Sequence, residues 1–186
     1  MEFPNLFQSE HVKLTALRTG DAAVMARWHE DSWFVRLINA DPARPQSESQ
    51  IQTWIDEMLK REDAYLFAVR QTETDELIGW IEVDGILWNG GSAVLGIAFG
   101  DRSNWDRGYG TEAMELALRF VFDELNLHRL GLTVYGYNER AIALYEKMGF
   151  VREGARREFL HRNGQRYDML LYGMLRREWE ARTAIA

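Results

Sequence analysis

The chain has no cysteine, only three prolines, and fewer basic than acidic residues, 22 Lys and Arg against 29 Asp and Glu. Without cysteine there is no disulfide framework, no thiol nucleophile and no zinc–thiolate site. The four histidines are scattered without metal-ligand spacing, so no metal is expected. A net charge of −7 argues against nonspecific nucleic-acid binding, which needs a basic surface, and is compatible with a cationic substrate. No apolar run approaches the roughly 20 residues of a membrane span. Met1-Glu2-Phe3-Pro4 lacks the basic and apolar segments of a secretory signal. A cytoplasmic protein with no nucleic-acid or membrane partner is expected.

What is present reads as one domain, 1–186, with its core at about 10–177. The 46% hydrophobic and 27% charged fractions are ordinary, and the seven Trp are on the rich side. Val12 to Leu17 alternates at period two, as a half-buried strand does. Thr19-Gly20-Asp21 gives a helix-start signal ahead of Val24 and Trp28, and a second helical piece covers Ser32 to Ile38. After the loop Asp41-Pro42-Ala43-Arg44-Pro45, Ser47 with Gln50 forms a capping box. Ile51, Trp54, Ile55, Met58 and Leu59 follow at helical spacing. Strands are read at Tyr65 to Arg70, Leu77 to Leu87, Ser92 to Phe99, Arg129 to Tyr135, Val151 to Arg162 and Gln165 to Leu175. Asn89-Gly90-Gly91 and Asn163-Gly164 are hairpin turns. Glu139 to Met148 is a helix stopped by Gly149. The order predicts a mixed α/β (α+β) domain with a largely antiparallel sheet of about seven strands.

The rest of the chain is organised around Trp105-Asp106-Arg107-Gly108-Tyr109-Gly110-Thr111-Glu112-Ala113, which leads into an apolar helix running to Leu125. A strand, a glycine-containing loop and a helix start together make an anion site, because the first helical amides lack intrahelical partners and carry partial positive charge. Arg107 adds a full charge. The stretch fits G-x-G-x-x-A, but residues 100–107 separate it from its strand and antiparallel strands precede it, unlike a dinucleotide fold. No Gly-Lys-Ser/Thr follows, so it is not a Walker loop. A tight loop-to-helix junction with no ligand also accounts for the glycines.

Asn138-Glu139-Arg140-Ala141-Ile142-Ala143-Leu144-Tyr145-Glu146-Lys147-Met148-Gly149-Phe150 is more specific. Together with Trp105 to Ala113 it resembles the GNAT superfamily of N-acetyltransferases, in the branch of the RimJ/RimL-type protein N-terminal and the spermidine acetyltransferases. The resemblance runs from Val12-Lys13-Leu14 to Tyr167-Asp168-Met169-Leu170-Leu171. The family pattern has Gln or Arg three residues before the first glycine; Trp105 stands there, in the Trp-x-x-Gly-Tyr form common in this branch. The resemblance implies acetyl-CoA as co-substrate, a primary amine (protein N-terminus, polyamine or other small amine) as acceptor, and a homodimer. It also implies that Arg107, Gly108, Tyr109, Gly110 and Thr111 hold the pyrophosphate, and that the backbone of Ile97, Ala98 and Phe99 meets the pantetheine and acetyl carbonyl. A non-catalytic acyl-CoA-binding regulatory module on the same fold is the alternative.

Asn138 and Tyr145 are seven apart, so they share a helix face. Acetyl transfer to an amine needs a neutral amine, a stabilised oxyanion and a proton for the leaving thiolate. Tyr145 can supply the proton, and Asn138, at its helix N-cap, can reach the pantetheine arm. Some relatives carry a glutamate on the strand before the loop, but Ala93 to Phe99 contains no acid. Glu82, which with Asp84 and Trp80 alternates with Ile81 and Val83, is the candidate base, acting through water. The lack of the nearer carboxylate tilts the expectation towards low-pKa amines. Trp28, Trp33, Trp54, Glu30 and Asp31 are candidates for the acceptor wall. His128, His161 and the tail from Glu178 carry no functional signal.

Overall fold

A computed structural model describes residues 5–184; the tetrapeptide Met1–Pro4, read above for a signal, lies outside them. The elements follow in the order β1 (Val12–Thr15), α1 (Asp21–Trp28), α2 (Ser32–Ile38), α3 (Glu48–Leu59), β2 (Tyr65–Gln71), β3 (Leu77–Leu87) and β4 (Ser92–Phe99). Then come α4 (Tyr109–Arg119), β5 (Arg129–Tyr135), α5 (Glu139–Lys147), β6 (Val151–Arg162), β7 (Gln165–Leu175) and α6 (Arg176–Thr183). The strands form one sheet in the order β1-β2-β3-β4-β5-β7-β6, antiparallel throughout except for the parallel pair β4–β5. This is the mixed, mostly antiparallel seven-stranded α/β fold expected.

Most local signals act as the residues require. Ser47 and Gln50 close the capping box of α3, and Gly149 takes the left-handed conformation past α5. Asn163 and Gly164 both have positive φ, as the two-residue β6–β7 turn demands. Three readings change. The helix from the glycine loop ends at Arg119, and a wide turn, Phe120–Glu124, continues it with the Leu125 amide donating to the Phe120 carbonyl five residues back at 2.9 Å. The tail that carried no signal forms α6, whose Trp179 stacks on Phe122 at 6.0 Å. At α1 the cap is Gly20, left-handed, with no side-chain bond.

Asp21, free of capping duty, turns inward to Arg70 on β2. Both are only 5% exposed. The Arg70 Nη2 donates to both Asp21 oxygens at 2.6 Å, and its Nε donates to the Thr15 hydroxyl at 3.1 Å. The pair therefore ties α1 to the sheet, with its hydrogen-bonding capacity used rather than stranded.

The sheet has two cores. On one face α1–α3 pack Met25, Phe34, Val35, Ile51 and Ile55 onto Leu66, Ala68, Trp80 and Ala98. On the other, α4 to α6 pack Met114, Leu118, Phe122, Tyr145 and Trp179 onto Ile81, Val83, Leu95 and Leu130. Among the described residues no helix is long and apolar enough to cross a membrane, and no cluster of His, Asp and Glu is arranged for a metal ion.

Replacing Asp21 by Ala leaves a buried guanidinium uncompensated and should cost about 3–5 kcal/mol of stability, read as a lowered urea midpoint. A loss below about 1 kcal/mol would show that the pair does not anchor α1.

Candidate active site

Strands β4 and β5 begin as neighbours and then part. Ser92, Ala93 and Val94 pair with Arg129, Leu130 and Gly131, and the pairing stops there. Leu95–Phe99 on one side and Leu132–Tyr135 on the other lose each other as partners. Buried backbone amides and carbonyls need partners, so this gap is a place for a ligand rather than for packing. A cavity of about 710 Å³ occupies it. Its walls include Phe34, Trp54 and Trp80 from one core, and Leu144 and Tyr145 from the other. The cavity thus passes through the sheet and joins its two faces.

At the α4 end lies the glycine loop. Gly108 is the N-cap with φ of 85°, a conformation that strains any residue with a Cβ. Thr111 and Glu112 donate their amides back to the Gly108 carbonyl, while the amides of Tyr109 and Gly110 have no partner among the described residues. Gly108, Gly110 and Thr111 line the cavity. The Tyr109 side chain packs on the core instead. Arg107 is exposed and stands outside the lining. The cations that line this end are Arg140 and Lys147 of α5. The Arg140 Cζ lies over Trp105, 3.4 Å from the ring centroid, and the Lys147 Nζ is 3.4 Å from the Thr111 hydroxyl. Trp105 in turn donates its indole N–H to the Phe99 carbonyl at 3.1 Å, closing the end of β4. The signal for these cations was available: Arg140, Leu144 and Lys147 are spaced i, i+4, i+7 on one face of α5.

Asn138 and Tyr145 both line the cavity from α5, as their spacing predicts. Asn138 caps the helix, its Oδ1 accepting from the Ala141 amide at 3.3 Å. Tyr145 is 6% exposed, sits beside Phe150 and Tyr172, and has its pKa pushed up to about 12 by burial.

On the opposite side Trp80, Glu82 and Asp84 form a row along one face of β3, and all three line the cavity. Glu82 stands directly across from Gly96 of β4. A Cβ on Gly96 would fall 2.5 Å from the Glu82 Oε1, with the next two nearest atoms also those of Glu82, so the side chain lies over the glycine. Burial pushes the Glu82 pKa up to about 7, with the charge of Asp84 adding and that of Arg61 opposing. Asp84 is itself paired with Arg61 at 3.2 Å.

Of the expected acceptor wall, only Trp54 lines the cavity. Trp28 lies behind it, stacked on Trp80 at 6.2 Å. Asp31 caps α2 and pairs with Arg102; Trp33 and Glu30 face solvent. The wall also includes His29 and Asp41, which no sequence pattern marked. Above them the β6–β7 hairpin closes over the loop after α2, with the Arg162 Nη2 donating to the carbonyls of Asn39, Ala40 and Asp41 at 3.1, 2.7 and 3.0 Å.

Residues 11–151 match the Acetyltransferase (GNAT) domain family. The SPbeta prophage-derived uncharacterized N-acetyltransferase YokL of Bacillus subtilis is 30% identical over 92% of this chain and 93% of its own length. The [ribosomal protein uS5]-alanine N-acetyltransferase of Escherichia coli is 25% identical over 75% of each chain. Among solved structures, spermidine N-acetyltransferase from Vibrio cholerae in complex with CoA and spermine superposes with a TM-score of 0.81 at 25% identity, covering 91% of this chain and 98% of that one. The chain belongs to the GNAT family of N-acetyltransferases.

Proposed function

We propose that the chain, acting as one domain, moves an acetyl group from acetyl-CoA directly to a primary amine, a small-molecule amine or a protein N-terminus. The observation that carries this reading is the cavity through the sheet, which places a carboxyl group on one face and a phenol on the other around the unpaired end of β4. The residues at the α4 end fit a pyrophosphate: partnerless amides of Tyr109 and Gly110, with Arg140 and Lys147 beside them. Asn138, Ile97, Ala98 and Phe99 also line the cavity. When bound, acetyl-CoA supplies an acetyl group activated as a thioester.

Glu82 takes the proton from the acceptor ammonium. An alkyl amine of pKa near 10.4 costs about 4.6 kcal/mol to deprotonate at pH 7, and an α-amine near 7.8 about 1 kcal/mol. A carboxylate with pKa of about 7 is matched to that task. The preference for low-pKa amines, argued from the lack of an acid on β4, loses its ground here, because Glu82 leans over β4 at Gly96. The backbone N–H groups of Ile97 and Phe99, which alternate away from β3 and towards the gap, are the donors for the developing oxyanion. Tyr145 gives its hydroxyl proton to the departing sulfur. Its raised pKa keeps it protonated at every working pH, and the burial that disfavours phenolate disfavours thiolate as well.

Four sets of outcomes are expected. Tyr145→Phe lowers single-turnover acetylation about 100-fold or more while acetyl-CoA affinity changes little; an unchanged chemical rate removes Tyr145 from this role. In wild type, kcat/KM for an alkyl amine falls as pH drops through about 7, when Glu82 becomes protonated. Glu82→Gln abolishes that limb and lowers the rate about 10²- to 10⁴-fold, less for an α-amine. Gly96→Ala acts in the same direction, and adds little in the Glu82→Gln background, since its new methyl meets Glu82; full additivity would disprove the coupling. Finally, Arg140→Ala and Lys147→Ala each weaken acetyl-CoA binding severalfold, more at low ionic strength, and Arg107→Ala weakens it less. Equal losses at all three positions in a calorimetric titration would contradict the placement of the cations.

A further inference from the structure

The acceptor side of the cavity mixes aromatic and aliphatic side chains with polar ones, among them Asn39, Asp41, Arg44 and Gln50. One of the polar groups, His29, is buried and has no part in the chemistry above. It follows the last turn of α1 and is 7% exposed. Its Nδ1 lies 2.9 Å from the Met25 carbonyl oxygen, which can only accept, so Nδ1 carries the hydrogen. Burial holds the imidazole pKa below its usual value, which leaves the ring neutral and Nε2 a bare lone pair. No described residue donates to Nε2, yet it is not among the buried atoms sealed off without a partner, and the residue lines the cavity. The ring is fixed in orientation. It lies parallel to the Trp80 indole, centroids 6.5 Å apart at 9°, and meets Phe34 edge to face at 5.5 Å.

Trp80 and Glu82 are two residues apart on one strand face, a separation of roughly 7 Å. His29 and Glu82 both line the cavity and both neighbour Trp80, one by stacking and the other along the strand, so a single acceptor molecule can reach both. We propose that His29 Nε2 is the far anchor of the acceptor site, so that the acceptor is a primary amine carrying a second hydrogen-bond donor, a hydroxyl or an N–H, a few carbons from the reacting nitrogen. This rests on the acetyl-transfer reading and adds the substrate class to it. A buried acceptor lone pair left unmatched is costly, so a site of this kind discriminates against an analogue without the donor far more strongly than a purely apolar pocket discriminates by shape. Neutral imidazole accepts equally from a hydroxyl and from an amine or amide N–H, and the acceptor panel below separates them.

The test is acetylation of primary amines in matched pairs at several spacer lengths: amino alcohols against their methyl ethers, diamines and amino amides against their alkyl counterparts. Wild type should favour the donor-bearing member of the best pair at least tenfold in kcat/KM. His29→Phe keeps the planar ring between Trp80 and Phe34 and deletes Nε2, and should bring that ratio to near one; His29→Gln, which retains a side-chain carbonyl, should restore part of it. Reading a ratio cancels any general loss of activity. Equal handling of matched pairs by wild type overturns the proposal, whether or not His29→Phe folds, and so does a ratio that survives His29→Phe. Transfer to amines with equal ratios would leave the acetyl-transfer reading standing, whereas no transfer to any amine would overturn both.

Discussion

The structure depends on the point where β4 and β5 stop pairing. Three residue pairs hold the strands together, and beyond Val94 and Gly131 they diverge. A continuous ladder would satisfy its own amides and carbonyls and leave no room between the layers. The split instead leaves backbone groups facing a cavity and lets one ligand touch both faces of the sheet. The candidate site residues lie around that opening: Glu82 and the aromatic wall on one side, Tyr145 and the glycine loop on the other.

An opening through the middle of a sheet weakens it, and the surrounding contacts offset the loss. β3 runs alongside β4 for nearly its full length, so β4 keeps one complete neighbour while losing the other. β5 is held in the same way by β7 over seven residue pairs. Arg70 and Asp21 fasten the helical layer to the first half of the sheet, and Arg162 fastens the last hairpin to the loop after α2. The two halves can therefore diverge without the layers separating.

Burial moves the two candidate reacting side chains in the same direction, upward, with different consequences. It raises a carboxyl group from the acidic range to near neutrality, where it can exchange a proton with an amine. It raises a phenol further out of the physiological range, where it remains a donor. Burial beside one cavity thus shifts both groups, with no metal ligand set among the described residues. Gly96 contributes by what it lacks: the space of its missing side chain is filled by the Glu82 carboxylate from the next strand.

Sequence alone determined most of the elements and several of the residues that line the cavity. Periodicity, capping residues and Asn-Gly or Gly turns are local, so β2 to β7 and α2, α3 and α5 were legible, as was the shared face of Asn138 and Tyr145. The tail helix was not, because one tryptophan among charged residues has no periodicity to read; Phe122 of the core gives Trp179 its place. Only the tertiary structure decided which cations line the cavity beside the glycine loop, since that depends on how α5 packs against α4: Arg140 and Lys147 line it and Arg107 does not. Only the tertiary structure showed that a β3 carboxylate can stand over β4, because strand register is set by pairing between distant segments rather than by either strand's own pattern. His29 and Asp41 entered the site for the same reason: a cavity wall is assembled from residues far apart in the chain, and its polarity is a property of their packing.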